Sequence, residues 1–143
     1  MKPHFIIAIL AFMLSTTVQA QRILSADEIL MAARKQAAKE NKKVMVIFHA
    51  SWCGWCHRMD TSLADPSVKS YFDKNFVITH LTVYESDDKK ALENPGALDY
   101  LTKLGGNDQG IPFWLILDKD GNLLADSQIA PKKLPAAPPS RRK

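Results

Sequence analysis

Apolar positions along the chain fall into short blocks whose spacing alternates between helical and strand-like. Ile29, Leu30, Ala33 and Ala37 recur at the interval of one helical face. Just before them, Ser25-Ala26-Asp27-Glu28 has the Ser-x-x-Glu spacing of a capping box, so a helix is predicted from about Ala26 to Glu40. Asn41-Lys42-Lys43 breaks it. Val44-Met45-Val46-Ile47-Phe48 is then a continuous, partly β-branched apolar run, short enough for a strand buried on both faces. Cys56 to Leu63 contains neither Gly nor Pro and reads as helix. Asp65-Pro66 interrupts and restarts it, with Val68, Tyr71 and Phe72 as the apolar stripe of the second piece. Phe76 to Val83 predicts a second central strand, Glu85 to Gly96 a polar loop, and Ala97 to Leu104 a helix ended by Gly105-Gly106. Pro112 to Leu117 and Asn122 to Asp126 flank the turn Asp118-Lys119-Asp120-Gly121 as a hairpin. Helix, strand, helix, strand, helix, strand, strand implies an α/β chain with a mixed sheet covered by helices.

The two ends read differently. Lys2, the apolar run Phe5 to Leu14, and the small residues Val18 and Ala20 form a cleavable export signal over residues 1–20. Its apolar run is about half of what a bilayer-crossing helix needs, so no stable membrane insertion is expected after cleavage. The protein is then periplasmic or secreted. No cysteine follows Ala20, which argues against a lipid anchor. At the other end, residues 129–143 hold Pro131, Pro135, Pro138 and Pro139 and no acidic residue, and read as a disordered basic tail. That leaves residues 21–128 as the folded domain, and 143 residues with 46% hydrophobic content suit one core. The net charge of +4 resides in the tail, where Lys132, Lys133, Arg141, Arg142 and Lys143 lie. No basic stripe interleaved with aromatics points to nucleic acid.

Export changes the meaning of the only two cysteines, Cys53 and Cys56. Three residues apart, they cannot staple distant parts of the chain, so reactive chemistry is favoured over a structural framework. They sit where a buried strand turns into a helix. A cysteine there meets free amides and the positive end of the helix dipole, which favour the thiolate. Cys56, one turn on, faces the same side and can resolve a mixed disulfide formed by Cys53, giving a pair that needs no cofactor beyond its own disulfide. Trp52 and Trp55 offer apolar surface around a rather exposed sulfur, as a docking rim or alternatively as core aromatics.

Trp52-Cys53-Gly54-Trp55-Cys56 after a buried strand, with Ile111-Pro112 before a later one, resembles the thioredoxin superfamily. It is similar in particular to exported bacterial thioredoxin-like proteins, whose Trp-Cys-x-x-Cys is followed by a basic residue and Met, here His57 or Arg58 and then Met59. The resemblance covers Ser25 to Asp126. It implies a thioredoxin-like sheet flanked by helices and a thiol-disulfide oxidoreductase activity on protein thiols and disulfides, with a redox partner. It also implies a cis Pro112, whose loop lies against the sulfurs, and an Ile111 that presents backbone groups to the substrate chain.

Three departures qualify it. The buried Asp that thioredoxins carry six residues before the first Cys is Ile47 here, which leaves His49 and His57 as nearby proton acceptors; a cationic His57 would also favour thiolate. Gly54-Trp55 replaces Gly-Pro, so the direction of electron flow does not carry over. The prolines of the tail preclude the usual final helix, and a shortened chain end, a partner or a dimer would each account for that. Rival readings remain. Cys53-Gly54-Trp55-Cys56-His57 also spells the attachment signature of a c-type haem. Cys53, Cys56 and His57, with His49, His80 or His4, would make an incomplete zinc set, so no metal is expected. A non-catalytic thioredoxin-like binding module would keep the pair oxidised.

Overall fold

The computed structural model describes residues 22–128; the expected export signal, the expected basic tail and the expected loss of a final helix lie outside them. Helix α1, Ala26–Glu40, starts at the predicted capping box: the Glu28 amide donates to Ser25 Oγ, and the Ser25 amide donates to Glu28 Oε2. Of the expected stripe, Leu30, Ala33 and Ala37 are buried and Ile29 is half-buried, and Ala26 at the helix start is buried with them. Strand β1, Lys43–His49, is buried from Val44 to Phe48, as a both-faces apolar run requires. Helices α2, Gly54–Leu63, and α3, Pro66–Asn75, are separated by Asp65, whose carboxylate caps the Ser67 amide of α3. Strand β2, Phe76–Thr82, helix α4, Ala97–Lys103, and the hairpin β3, Phe113–Leu117, and β4, Leu123–Asp126, complete the order.

The sheet runs β2-β1-β3-β4, with β1 parallel to β2 and antiparallel to β3, and β3 antiparallel to β4. A parallel β1-β2 pair demands a crossover, and α2 with α3 is that crossover. The main core lies on one face of the sheet. There Val44, Val46 and Phe48 of β1 and Leu115 and Leu117 of β3 meet Leu30, Ala33 and Ala37 of α1 and Leu101 of α4. Phe48 packs its ring 6.1 Å from that of Phe113 and 6.3 Å from that of Tyr100. On the other face, Asp60 of α2 accepts from His80 Nε2 of β2 at 2.8 Å. Arg34 of α1 ties down the hairpin turn by donating to the carbonyls of Lys119 and Asp120.

Two local expectations need correction. The stretch from Glu85 to Gly96 is not all loop: Asp87–Leu92 winds into a 3-10 helix, with acidic residues at its start and lysines at its end in keeping with the helix dipole. The stripe of α3 is not a buried face either. No residue of α3 is fully buried, and Tyr71 is exposed; Tyr71 and Phe72 cluster with Phe76 at the helix-strand junction.

Candidate redox site

The end of β1 delivers the chain into a tight turn closed by the Cys53 amide donating to the Ala50 carbonyl at 3.1 Å. Cys53 is the N-cap of α2, and its Sγ accepts from the Cys56 amide at 3.1 Å. This is the helix-terminus placement expected from the sequence, with the sulfur where a side-chain oxygen usually caps. Cys53 and Cys56 form a disulfide across one helical turn, with their Cα atoms 5.3 Å apart. Gly54 lies between them with nothing within 4 Å of where a Cβ would stand, so the first turn of α2 is uncovered at that position.

The sulfurs themselves are shielded. Cys53 is 3% exposed and Cys56 1%, against the expectation of a rather exposed sulfur. The cause is a segment far along the chain. The Ile111-Pro112 peptide is cis, and Ile111 packs with Ala50 onto both cysteines, its carbonyl oxygen 3.7 Å from Cys53 Sγ. In the disulfide that sulfur carries no hydrogen, so this is a contact; an S–H at Cys53 in the reduced pair could donate across it.

Trp52 and Trp55 are rim residues rather than core ones, at 59% and 69% exposure. Trp52 is nonetheless fixed, because its Nε1–H donates to the Tyr84 carbonyl at 2.7 Å. The Arg58 guanidinium lies over the Trp55 ring, 4.8 Å from its centre. His57 points its Nε2 at the Ser51 carbonyl, 3.0 Å away, so that nitrogen carries the proton. His49 meets Thr82 Oγ1 at 3.2 Å and packs against the tilted ring of His80, ring centres 4.9 Å apart. Burial, and then the field of His80, lower the pKa of His49 against the opposing pull of Asp60 and Glu85, which favours its neutral, proton-accepting form. Ile47, at the position of the missing carboxylate, is fully buried.

Sequence reasoning missed Glu85. It is the one buried charged residue among those described, 3% exposed. Its Oε1 accepts from the Ser51 amide at 2.6 Å and its Oε2 from the Ser51 hydroxyl at 2.7 Å, so the carboxylate grips the turn that leads into Cys53. Burial pushes its pKa up, but the two Ser51 hydrogen bonds, with Lys89 and His49, outweigh that and leave it below the ordinary carboxylate value. The preceding residue, Tyr84, has φ 57°, uncommon for a bulky side chain. The only local hint was an acidic residue within three positions of the end of a strand. Among the described residues, no group of three or more His, Cys, Asp or Glu side chains is arranged to hold a metal ion, and no helix is long and apolar enough to cross a membrane.

A family profile described as thioredoxin-like matches residues 26–119, from the start of α1 to the hairpin turn. The chain belongs to the thioredoxin-like family. Its fold is shared with a disulphide isomerase from Xylella fastidiosa Temecula1, 19% identical, covering 78% of this chain and 80% of that one, with a TM-score of 0.59. A DsbH oxidoreductase is 16% identical and covers 82% of this chain and 81% of its own, with a TM-score of 0.50. The reduced form of the Neisseria meningitidis DsbD C-terminal domain is 26% identical and covers 73% and 84%, also at 0.50. No curated protein matches the chain. Within the thioredoxin-like family, a Cys-x-x-Cys disulfide at the start of the helix after β1 is the arrangement of a thiol-disulfide oxidoreductase.

Proposed function

We propose that the protein is an exported thiol-disulfide oxidoreductase that exchanges electrons with protein thiols and disulfides through Cys53 and Cys56. The observation that carries this reading is the capping geometry. Cys53 Sγ already accepts the Cys56 amide at the N-terminus of α2, so a thiolate formed on opening the disulfide finds a hydrogen bond and a helix dipole in place. In the reductive direction the Cys53 thiolate attacks a substrate disulfide, forming a mixed disulfide and expelling one substrate thiolate. Cys56, deprotonated, then attacks Cys53 Sγ; the Cys53–Cys56 disulfide forms, the second substrate thiolate leaves, and two electrons have passed to the substrate. The oxidised pair runs the same steps backwards on a substrate dithiol.

Ile111 packs onto both cysteines and, with the cis Pro112 that follows it, would align the substrate chain, with Trp52 and Trp55 as the apolar rim. His49, neutral and near the sheet end, suits the role of proton acceptor that Ile47 cannot fill. The N-terminal pattern of Lys2, Phe5 to Leu14 and Ala20 supports an extracytoplasmic location. Replacing Cys56 by Ser removes the resolving thiol, so mixed disulfides through Cys53 should accumulate and appear on non-reducing gels. If Cys53 alkylates no faster than an unfolded thiol and no such species is trapped, the proposal fails. Titration against glutathione then gives the direction: a potential near that of thioredoxin means reduction, a much higher one oxidation.

A further inference from the structure

The redox pair has a charged neighbour that the exchange chemistry does not use. Glu85 lies 34 positions after Ser51 in the chain, yet both its carboxylate oxygens are engaged by Ser51, one through the amide and one through the hydroxyl. Ser51 belongs to the four-residue turn Ala50–Cys53, closed by the Cys53 amide on the Ala50 carbonyl. The end Cα atoms of such a turn are less than about 7 Å apart. The carboxylate therefore stands behind the turn that carries the attacking sulfur. The grip continues on both sides, since Trp52 is bonded to the Tyr84 carbonyl and His57 to the Ser51 carbonyl. Glu85 itself is held in place by its amide, which donates to Glu93 Oε1 at 2.8 Å.

We propose that Glu85 is a positioning residue that also sets the redox poise: its carboxylate fixes the Ala50–Cys53 turn and, as a buried negative charge, opposes ionisation of Cys53. The inference rests on the reading of Cys53 as the attacking thiol. A carboxylate excluded from water is poorly screened, and a like charge nearby disfavours a second anion. The groups facing Glu85 do not cancel it. Lys89 of the 3-10 helix is exposed and burial disfavours the charged form of His49 of β1, while Glu93 brings a further negative charge that Lys90 offsets. The Cys56 amide favours the thiolate and Glu85 restrains it. Because a less stable thiolate makes the dithiol a better electron donor, Glu85 biases the pair toward reduction.

The test is Glu85→Gln in the full-length protein, which keeps the shape. The Gln oxygen can still accept from the Ser51 amide, and its amide can donate to the Ser51 hydroxyl. The reduced protein is alkylated with iodoacetamide across pH, and the modification at Cys53 is followed by mass spectrometry. The expected result is a Cys53 midpoint lower by about half a unit to one unit, a three- to tenfold gain in thiolate fraction below the midpoint. The glutathione equilibrium should shift toward the dithiol form, while Glu85→Asp, which keeps the charge, should stay near wild type. An unmoved midpoint in Glu85→Gln, or an equal fall in Glu85→Asp, overturns the assignment. Should Glu85→Gln not fold, Ser51→Ala with Glu85→Met removes hydroxyl donor and acceptor together and is read the same way. Loss of fold in both assigns Glu85 to the scaffold and overturns the proposal too. A wild-type Cys53 no more reactive than an unfolded thiol would instead sink the oxidoreductase reading itself.

Discussion

Reducing the Cys53–Cys56 disulfide should lower the stability of the domain, by an amount that depends on pH in a set direction. The bridge spans a sequence separation of only 3. Opening so short a loop returns little freedom to the unfolded chain, and the loop-closure relation gives about 2 kcal/mol. Against this stands what the reduced pair gains. A Cys53 thiolate would hold a charge-assisted hydrogen bond from the Cys56 amide and the dipole of α2, together about 1.5–3 kcal/mol before burial and Glu85 are set against them. Toward pH 5 the thiol forms gain and the loop term dominates, so the oxidised form should be the more stable by up to about 2 kcal/mol, or roughly 10 °C in Tm for a domain of this size. A thiol whose folded-state pKa is depressed stabilises the reduced form as pH rises through that pKa, fully so above the unfolded value near 8.5. The gap should therefore narrow toward pH 9. Urea unfolding of both redox forms at the two pH values measures it. A reduced form as stable as the oxidised one at pH 5, or a gap that widens with pH, would refute the reasoning.

Two further outcomes follow from the scaffold. A Cβ at Gly106 would stand 2.4 Å from Leu101 Cδ1 and 3.0 Å from two atoms of the Phe113 ring, both side chains fully buried or nearly so, so Gly106→Ala should cost about 1–3 kcal/mol in urea unfolding; a neutral variant would mean that this corner of the core is looser than its packing implies. Hydrogen bonds from Arg22 and then from Ser25 lower the Glu28 pKa from 4.5 to about 2. A depressed carboxylate contributes stability above its unfolded pKa and loses it as pH falls through the folded one. The difference between wild type and Glu28→Gln should accordingly shrink between pH 4.5 and about 2 in acid-unfolding curves, and a constant difference across that window would count against the capping box.

What was legible in the chain was whatever has a local cause. The Ser25-to-Glu28 spacing, the Val44-to-Phe48 run, Asp65-Pro66 and the Asp118-to-Gly121 turn each carry their own signal, and each element appears within a residue or two of its expected place. The cysteine pair was legible for the same reason. Burial caused by distant segments was not. The shielding of Cys53 depends on Ile111, and the grip on Ser51 depends on Glu85, an acidic residue set apart from Asp87 and Asp88 only by its place near the end of a strand. The α3 stripe misled in the opposite sense: Val68, Tyr71 and Phe72 have helical spacing, but Val68 and Tyr71 remain exposed, and the aromatic rings gather at the junction with β2 instead.

The cover over the sulfurs also has a consequence for the life of the chain before it is complete. The carbonyl beside Cys53 comes from Ile111, 58 positions later, and it is brought there by β3 pairing with β1. A ribosome that has released β1, the crossover helices and β2 has produced both thiols and the strand that holds them, but not the segment that closes over them. During that interval the cysteines are open to any oxidant or passing thiol. A fragment ending before residue 111, whether from stalled synthesis or proteolysis, would lack that cover altogether. The cover over the sulfurs is thus acquired last, when the chain's second half folds back onto its first.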